Sequence, residues 1–317
     1  MAPLTLSPAS PPLLPLHASA SLSPMSAILP LRRGLSYFAV AAASVRQDCA
    51  TWTPAPLSRV LPASADSSLF HISIDVSDSP DLASAHTAAG QYLQLRLPSA
   101  ADAKPTFLAI ASPPSLAASR GEFEFLVKKV AGSTAELLCY LKSGDLIELS
   151  AVMGRGFAID RISSPESAPH SVLIFATGSG ISPIRSLIES DFRSNKWKDV
   201  RLYYGARNLQ RMAYQDRFKS WEFSGVKIIP VLSRPDDSWK GEKGYVQAIF
   251  SRAKQILDAS STAAVICGHK AMAEAYLYRS NGQMRFPGDR TVHMNFMEVT
   301  SVLVADGVPQ DKILKNF

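Results

Sequence analysis

Cysteine is scarce in this chain, with only Cys49, Cys139 and Cys267 among 317 residues. Thiols so few and so far apart form neither a paired disulfide framework nor a metal-ligand cluster. No bound metal is expected, and a reducing, soluble compartment is the simplest expectation. Long apolar runs are also missing. Nothing approaches the ~18 consecutive apolar residues that cross a bilayer, so no transmembrane segment is expected. Acid is absent before Asp48, and the only charges ahead of it are Arg32, Arg33 and Arg46. Half of the net charge of +6 therefore sits in that leading segment. The remainder is mildly basic, and no Lys/Arg stripe is interleaved with aromatics, so nucleic acid is not an expected partner.

Residues 1–46 are rich in Ser, Ala, Pro and Leu. Acid-free, Ser-rich composition of this kind matches an organelle transit peptide, disordered and outside the fold. The stretch from Phe38 to Arg46 offers small residues for cleavage. Abundant Ser and Pro point to the plastid stroma; a tail without targeting value is the other reading.

The rest of the chain has two textures. Across 52–165, Leu69–Asp75 and Tyr92–Leu97 alternate at period two, and Glu122–Val127 and Leu146–Leu149 follow. Gly, Pro and Ser clusters separate them, with one helical stretch at 135–141. Such spacing predicts a small antiparallel barrel. Ile162 to His170 reads as a linker. Across 170–317, Val172–Ala176, Arg201–Tyr204, Val226–Val231 and Ala263–Cys267 alternate with helix-like segments. That pattern predicts a doubly wound parallel sheet, giving a β-barrel plus α/β architecture.

Ser171 to Ile184, SVLIFATGSGISPI, is the most informative segment. An apolar run of buried-strand length meets Thr177, Gly178, Ser179 and Gly180, and Pro183 then stands in the first turn of a helix. Proline suits that turn because its missing N–H would be unpaired there anyway. Glycines let the backbone approach a ligand, and a helix start favours a pyrophosphate. The spacing departs from G-x-G-x-x-G at Pro183. A bland tight turn is the alternative.

Taken in order, the motifs resemble the ferredoxin–NADP reductase superfamily over nearly everything after residue 52. Within it, the plant plastid "fruit protein"-like FAD/NAD(P)-binding oxidoreductases give the most similar pattern. Gly90-Gln91-Tyr92 resembles the P-G-Q strand start. Gly132-Ser133-Thr134, with Leu138 to Asp145, resembles the flavin-phosphate loop and helix. Read alone, Ser133 or Thr134 is an ordinary helix cap. The flavin motif R-x-Y-S is altered: Thr106 stands for Arg, Leu108 for Tyr and Ala109 for Ser, while Ile110, Ala111 and Ser112 match its continuation. Phosphate binding would then rest on backbone groups and Lys128, with FMN as an alternative to FAD.

In the second half, Ser233-Arg234 and Lys243 with Tyr245 match the positions that hold the 2′-phosphate and adenine in NADP-specific relatives. A dianion is suited by a guanidinium fork, a point charge and hydroxyl donors. A solvated basic loop is the plain alternative. Cys267-Gly268, with Met272 beyond, resembles C-G-x-x-x-M, and the resemblance puts the thiol beside the nicotinamide. His269 is expected at the surface with no proton-transfer role. The resemblance also implies that a terminal aromatic, Phe317, covers the flavin ring; a core-packing Phe is equally compatible. Residues 275–297 lack helical period and contain Pro287-Gly288, so they are expected to loop out as an insertion or to be a translated non-coding segment.

The expectation is an NADPH-dependent flavin oxidoreductase, with Cys267 and Phe317 beside the reacting rings. The acceptor is unidentified, an iron–sulfur protein among the candidates. The rival is a non-catalytic NADP-binding or interaction module that has lost its flavin.

Overall fold

The structure, a computed structural model, describes residues 51–316 apart from 101, 164–168, 191, 193–195, 254–255, 270–271, 273–278, 281–282 and 285–297. Residues 1–46, expected to be a transit peptide, and Phe317 therefore lie outside the described residues. So does most of the expected insertion, within which β12 (Arg279–Ser280) pairs antiparallel with β13 (Gln283–Met284).

Six strands build the first sheet: β1 (Thr53–Pro62), β2 (Leu69–Asp75), β3 (Tyr92–Arg96), β4 (Thr106–Ala109), β5 (Glu122–Lys128) and β6 (Leu146–Leu149). Their order is β4-β3-β6-β1-β2-β5, and every pairing is antiparallel. An Ile110–Phe125 bridge joins the two ends and nearly closes the barrel. Period-two alternation sends Leu93, Leu95, Ile72, Ile74, Phe123 and Phe125 inward, each fully buried. Helices α1 (Pro80–Ser84), α2 (Pro114–Arg120) and α3 (Thr134–Leu138) add Leu82, Ala117 and Leu138 to that core. The 135–141 helix of the sequence reading starts one residue earlier and stops at Leu138.

After α4 (Asp160–Ser163) comes a parallel sheet of β7 (Ser171–Thr177), β8 (Asp199–Ala206), β9 (Val226–Leu232), β10 (Glu242–Lys243), β11 (Thr262–Cys267) and β14 (Ile313–Asn316). Its order is β10-β9-β8-β7-β11-β14. Helices α5 (Ile181–Ile188), α6 (Phe218–Phe223), α7 (Val246–Ala253) and α8 (Val299–Ala305) accompany it. Both faces of β7 are covered, which is why Val172 to Ala176 reads as one apolar run. Val172, Ile174 and Ala176 pack with α5, whereas Leu173 and Phe175 pack with α7 and α8. From β7 the chain winds outward one way to β10, then returns to β11 on the other side. Strand order thus reverses between β7 and β11, the place where doubly wound sheets bind ligands.

Polar contacts fix barrel to sheet. Arg185 on α5 is 2% exposed, and its guanidinium reaches Glu124 of β5, Glu189 at 3.0 Å and His71 Nε2 of β2 at 2.8 Å. Glu189 also accepts from Arg217 and from Trp221 Nε1, both at 3.0 Å. Burial would raise the Glu124 carboxyl, but the Arg185 guanidinium beside it holds it below its usual range. Burial likewise pushes His71 down to about 4, so the imidazole is neutral near pH 7. Two carboxylates and two guanidiniums then balance, the condition under which buried charges persist. Arg211 to Asp66 at 2.6 Å and Asn316 Nδ2 to the Gly90 carbonyl at 2.7 Å add further ties.

Candidate functional site

A cleft of about 890 Å³ lies between the barrel and the carboxyl edge of the parallel sheet. Its sheet side carries Thr177, Gly178, Ser179, Gly180, Pro183, Cys267, Gly268 and His269. Its barrel side carries Tyr92, Phe107, Leu108, Ala109, Lys128 and Lys129. The turns after β7 and β11, far apart in sequence, thus meet in one place.

Backbone contact explains two glycines there. A Cβ on Gly180 would stand 2.4 Å from the Gly268 Cα, and one on Gly268 would stand 2.3 Å from Thr177 Oγ1. The β7 and β11 turns are therefore packed backbone to backbone. His269 N–H donates to Thr177 Oγ1 at 3.0 Å and locks the pair. Gly178 differs: its φ is +55° and a Cβ would meet nothing within 4 Å. It opens the turn toward the cleft. A 3-10 turn, Gly178–Gly180, leads directly into α5, no side chain caps it, and no acid stands in the first turn. An uncapped, acid-free helix start presents its N–H groups to an anion. Pro183 is the third residue of α5 and lines the cleft. Cys267 is 7% exposed, and burial pushes its thiol up to about 12, so it stays protonated and uncharged at neutral pH.

Farther along the same edge, Ser233, Arg234, Lys243 and Tyr245 come together. β10 lies beside β9 with Lys243 opposite Leu232, and Gly244 N–H donates to the Leu232 carbonyl at 2.8 Å. Arg234, Lys243 and Tyr245 are exposed and Ser233 half-buried, and the four lie outside the cleft lining. Sequence reasoning missed Arg207, which lines the cleft and whose carbonyl accepts from Arg234 N–H at 2.7 Å. Its position just past an apolar strand at the carboxyl edge was the available signal.

Several expected residues have other duties. Ile110, Ala111 and Ser112 are fully buried and do not line the cleft. Ser112 Oγ accepts from Glu124 N–H at 3.1 Å, and its carbonyl accepts from Ser186 Oγ at 2.7 Å. The Ile-Ala-Ser segment is thus a joint between barrel and sheet. Met272 is 3% exposed and packs in the core with Val299 and Val302. Gly132, Ser133 and Thr134 also lie outside the cleft lining. Gly132 N–H donates to Glu136 Oε2 at 2.7 Å, and Glu136 N–H to Ser133 Oγ at 3.3 Å. Thr134 Oγ1 donates to the Lys104 carbonyl at 2.6 Å. This resembles a capping box, with the Glu136 carboxylate reaching one residue past the cap and standing at the helix start. Lys128 remains exposed on the cleft wall.

Comparison with known proteins accords with this layout. Residues 174–277 match the family model of the oxidoreductase NAD-binding domain. The chain is 47% identical over 274 residues to the fruit protein pKIWI502 of Actinidia deliciosa, covering 86% of this chain and 78% of that one. It is 28% identical to ferredoxin–NADP reductase B of Sorangium cellulosum, covering 63% of this chain and 81% of the relative. The chain belongs to the ferredoxin–NADP reductase-like superfamily. Among solved structures, the ferredoxin NADP+ reductase of Neisseria gonorrhoeae with bound FAD and NADP superposes with a TM-score of 0.56 at 20% identity, over 69% of this chain and 86% of that one. The Amycolatopsis cytochrome P450 reductase GcoB gives 0.61 at 16% identity, over 84% and 69% respectively. At such identities these two show a shared fold.

Proposed function

We propose that this chain is an NADPH-dependent flavin oxidoreductase: hydride passes from NADPH to FAD, and electrons pass on to a separate acceptor. The observation that carries the reading is the single cleft in which the Thr177–Gly180 turn and Cys267 face the aromatic wall of the barrel. Relatives in this superfamily are FAD- and NAD(P)-binding reductases.

The residues fit a nicotinamide dinucleotide. Thr177 to Gly180 and the start of α5 would hold its pyrophosphate. Ser233, Arg234 and Lys243 would hold a 2′-phosphate, Tyr245 would stack the adenine, and Arg207 stands within reach as a further cation. That set favours NADP over NAD. Cys267 contributes a neutral, poorly hydrated wall and moves no proton, because its thiol stays protonated.

The fit to FAD rests on different groups. The Gly132, Ser133 and Glu136 N–H groups are already engaged, so Lys128 and Lys129 would hold the phosphates, and the barrel wall would hold the ring. When bound, FAD supplies a two-electron acceptor able to release electrons singly. The protein aligns donor and acceptor and excludes water. An iron–sulfur protein is the acceptor class we favour, and the plastid stroma, from the acid-free segment 1–46, the location. A fluorescent fusion of residues 1–46 tests the location; diffuse cytosolic signal would contradict it.

Purified full-length protein should carry, or take up, flavin absorbance and lose it on adding NADPH. The self-capped loop at Gly132 favours one other reading, a nucleotide-binding module without flavin. Colourless protein that binds neither FAD nor FMN would establish that alternative.

A further inference from the structure

We propose that Tyr92 and Phe107 form the platform on which the flavin ring packs, in place of residue 108. This rests on the flavoenzyme reading above and specifies where in the cleft the ring sits.

Register decides which side chains face the cleft. Tyr92 pairs with Ala109 and Gln94 with Phe107, so Tyr92, Phe107 and Ala109 share the outer face of β3 and β4. Leu93 pairs with Leu108, and Leu93 is fully buried in the barrel. Leu108 packs against that same core although it also borders the cleft. Leu108 therefore offers the cleft an aliphatic edge and no aromatic face. Leucine suits that position, and the aromatic surface moves to the neighbouring face.

That surface is present and held in place. Phe107 is 58% exposed, a large apolar area left open on a cleft wall. Its ring lies 6.0 Å from that of Tyr92, tilted by 57°. Tyr92 in turn packs closely against Gly154, whose φ is +81°; a Cβ there would stand 2.8 Å from Tyr92 Cε1. The Tyr92 ring is therefore fixed before any ligand arrives. Across the cleft stand the Gly178–Gly180 turn and Cys267, and Lys128 lies on the barrel side. The occupant that matches is a planar heteroaromatic ring with an anionic tail, facing a pyridine nucleotide: the isoalloxazine of a flavin.

Titration of flavin-stripped full-length protein with FAD, followed by fluorescence, tests this. A phenol in contact with isoalloxazine quenches its emission by electron transfer, and a phenyl ring does not. Tyr92→Phe should keep FAD affinity within about twofold while brightening the bound flavin several-fold. Phe107→Ala should weaken FAD about tenfold with NADPH affinity unchanged. Leu95→Met, conservative in volume in the barrel core and outside the cleft lining, should leave both readouts alone. Wild type that binds FAD while Tyr92→Phe and Phe107→Ala change neither affinity nor emission overturns the platform and leaves the enzyme reading standing. Wild type that takes up no flavin overturns both.

Discussion

The barrel and the parallel-sheet half use the same local design, and they commit its polar groups in opposite ways. Each has a strand, a turn with a glycine at positive φ, and a helix. Gly132 has a φ of +73° and Gly178 one of +55°, and neither would bury an added Cβ. At Gly132 a serine caps the helix and Glu136 fills the turn with its own carboxylate. At Gly178 no side chain caps and no acid intrudes. A helix start becomes an anion site when the sequence leaves it unfinished. On that ground the nucleotide half is a receptive surface, and the barrel half relies on an aromatic wall and lysines.

The largest effect should come from the joint that fixes one wall to the other. Arg185→Met leaves Glu124 buried without its cation and Glu189 with Arg217 alone, so it should destabilise the protein by about 3 kcal/mol. Denaturant unfolding measures this, and a loss below about 1 kcal/mol would mean the walls are held by other contacts. Next comes the receptive edge. Arg234→Ala with Lys243→Ala should weaken NADPH about 100-fold, from two charge-assisted contacts, and NADH hardly at all. Equal losses for the two nucleotides, seen by calorimetry, would remove the 2′-phosphate assignment.

Acid should act on the barrel side. Burial pushes both His71 and His86 down to about 4, against 6.5 for the free side chain. The unfolded chain then binds more protons than the folded one below pH 6.5. Stability is complete above that pH and falls as pH drops toward 4. From pH 6.5 to 5.5 the two histidines together should cost about 2 kcal/mol. His86→Phe should remove about half of that slope; a flat profile between those pH values would show that the imidazoles hydrate freely. The smallest effect concerns the finished turn. Glu136→Gln should cost about 0.5 kcal/mol of stability and raise FAD affinity about threefold, by withdrawing a negative charge near the phosphates. Unchanged affinity would put the flavin phosphates away from α3.

Sequence legibility followed the same divide. Val172–Ala176 and Ala263–Cys267 were readable because strands buried on both faces are continuously apolar. The turn beside them was readable because glycine is obligatory where two backbones touch. β1 was not, because Pro54 and Pro56 argue against a strand. The structure tolerates them since residues 53–56 pair on one side only, with β6, before Leu57 meets β2. Ile110 to Ser112 matched a motif, yet their burial at the joint depends on Glu124 and Ser186, which are distant in sequence. Two signals were present and unused: Glu136 three residues after the Ser133 cap, and Arg185 as the lone charge in an apolar helix.

The most direct test of the central claim is anaerobic. Full-length protein reconstituted with FAD is mixed with NADPH or with NADH, and flavin absorbance is followed in time. NADPH should bleach the flavin rapidly, and NADH at equal concentration much more slowly. Protein that takes up no flavin, or bound flavin that NADPH leaves oxidised, would contradict that claim.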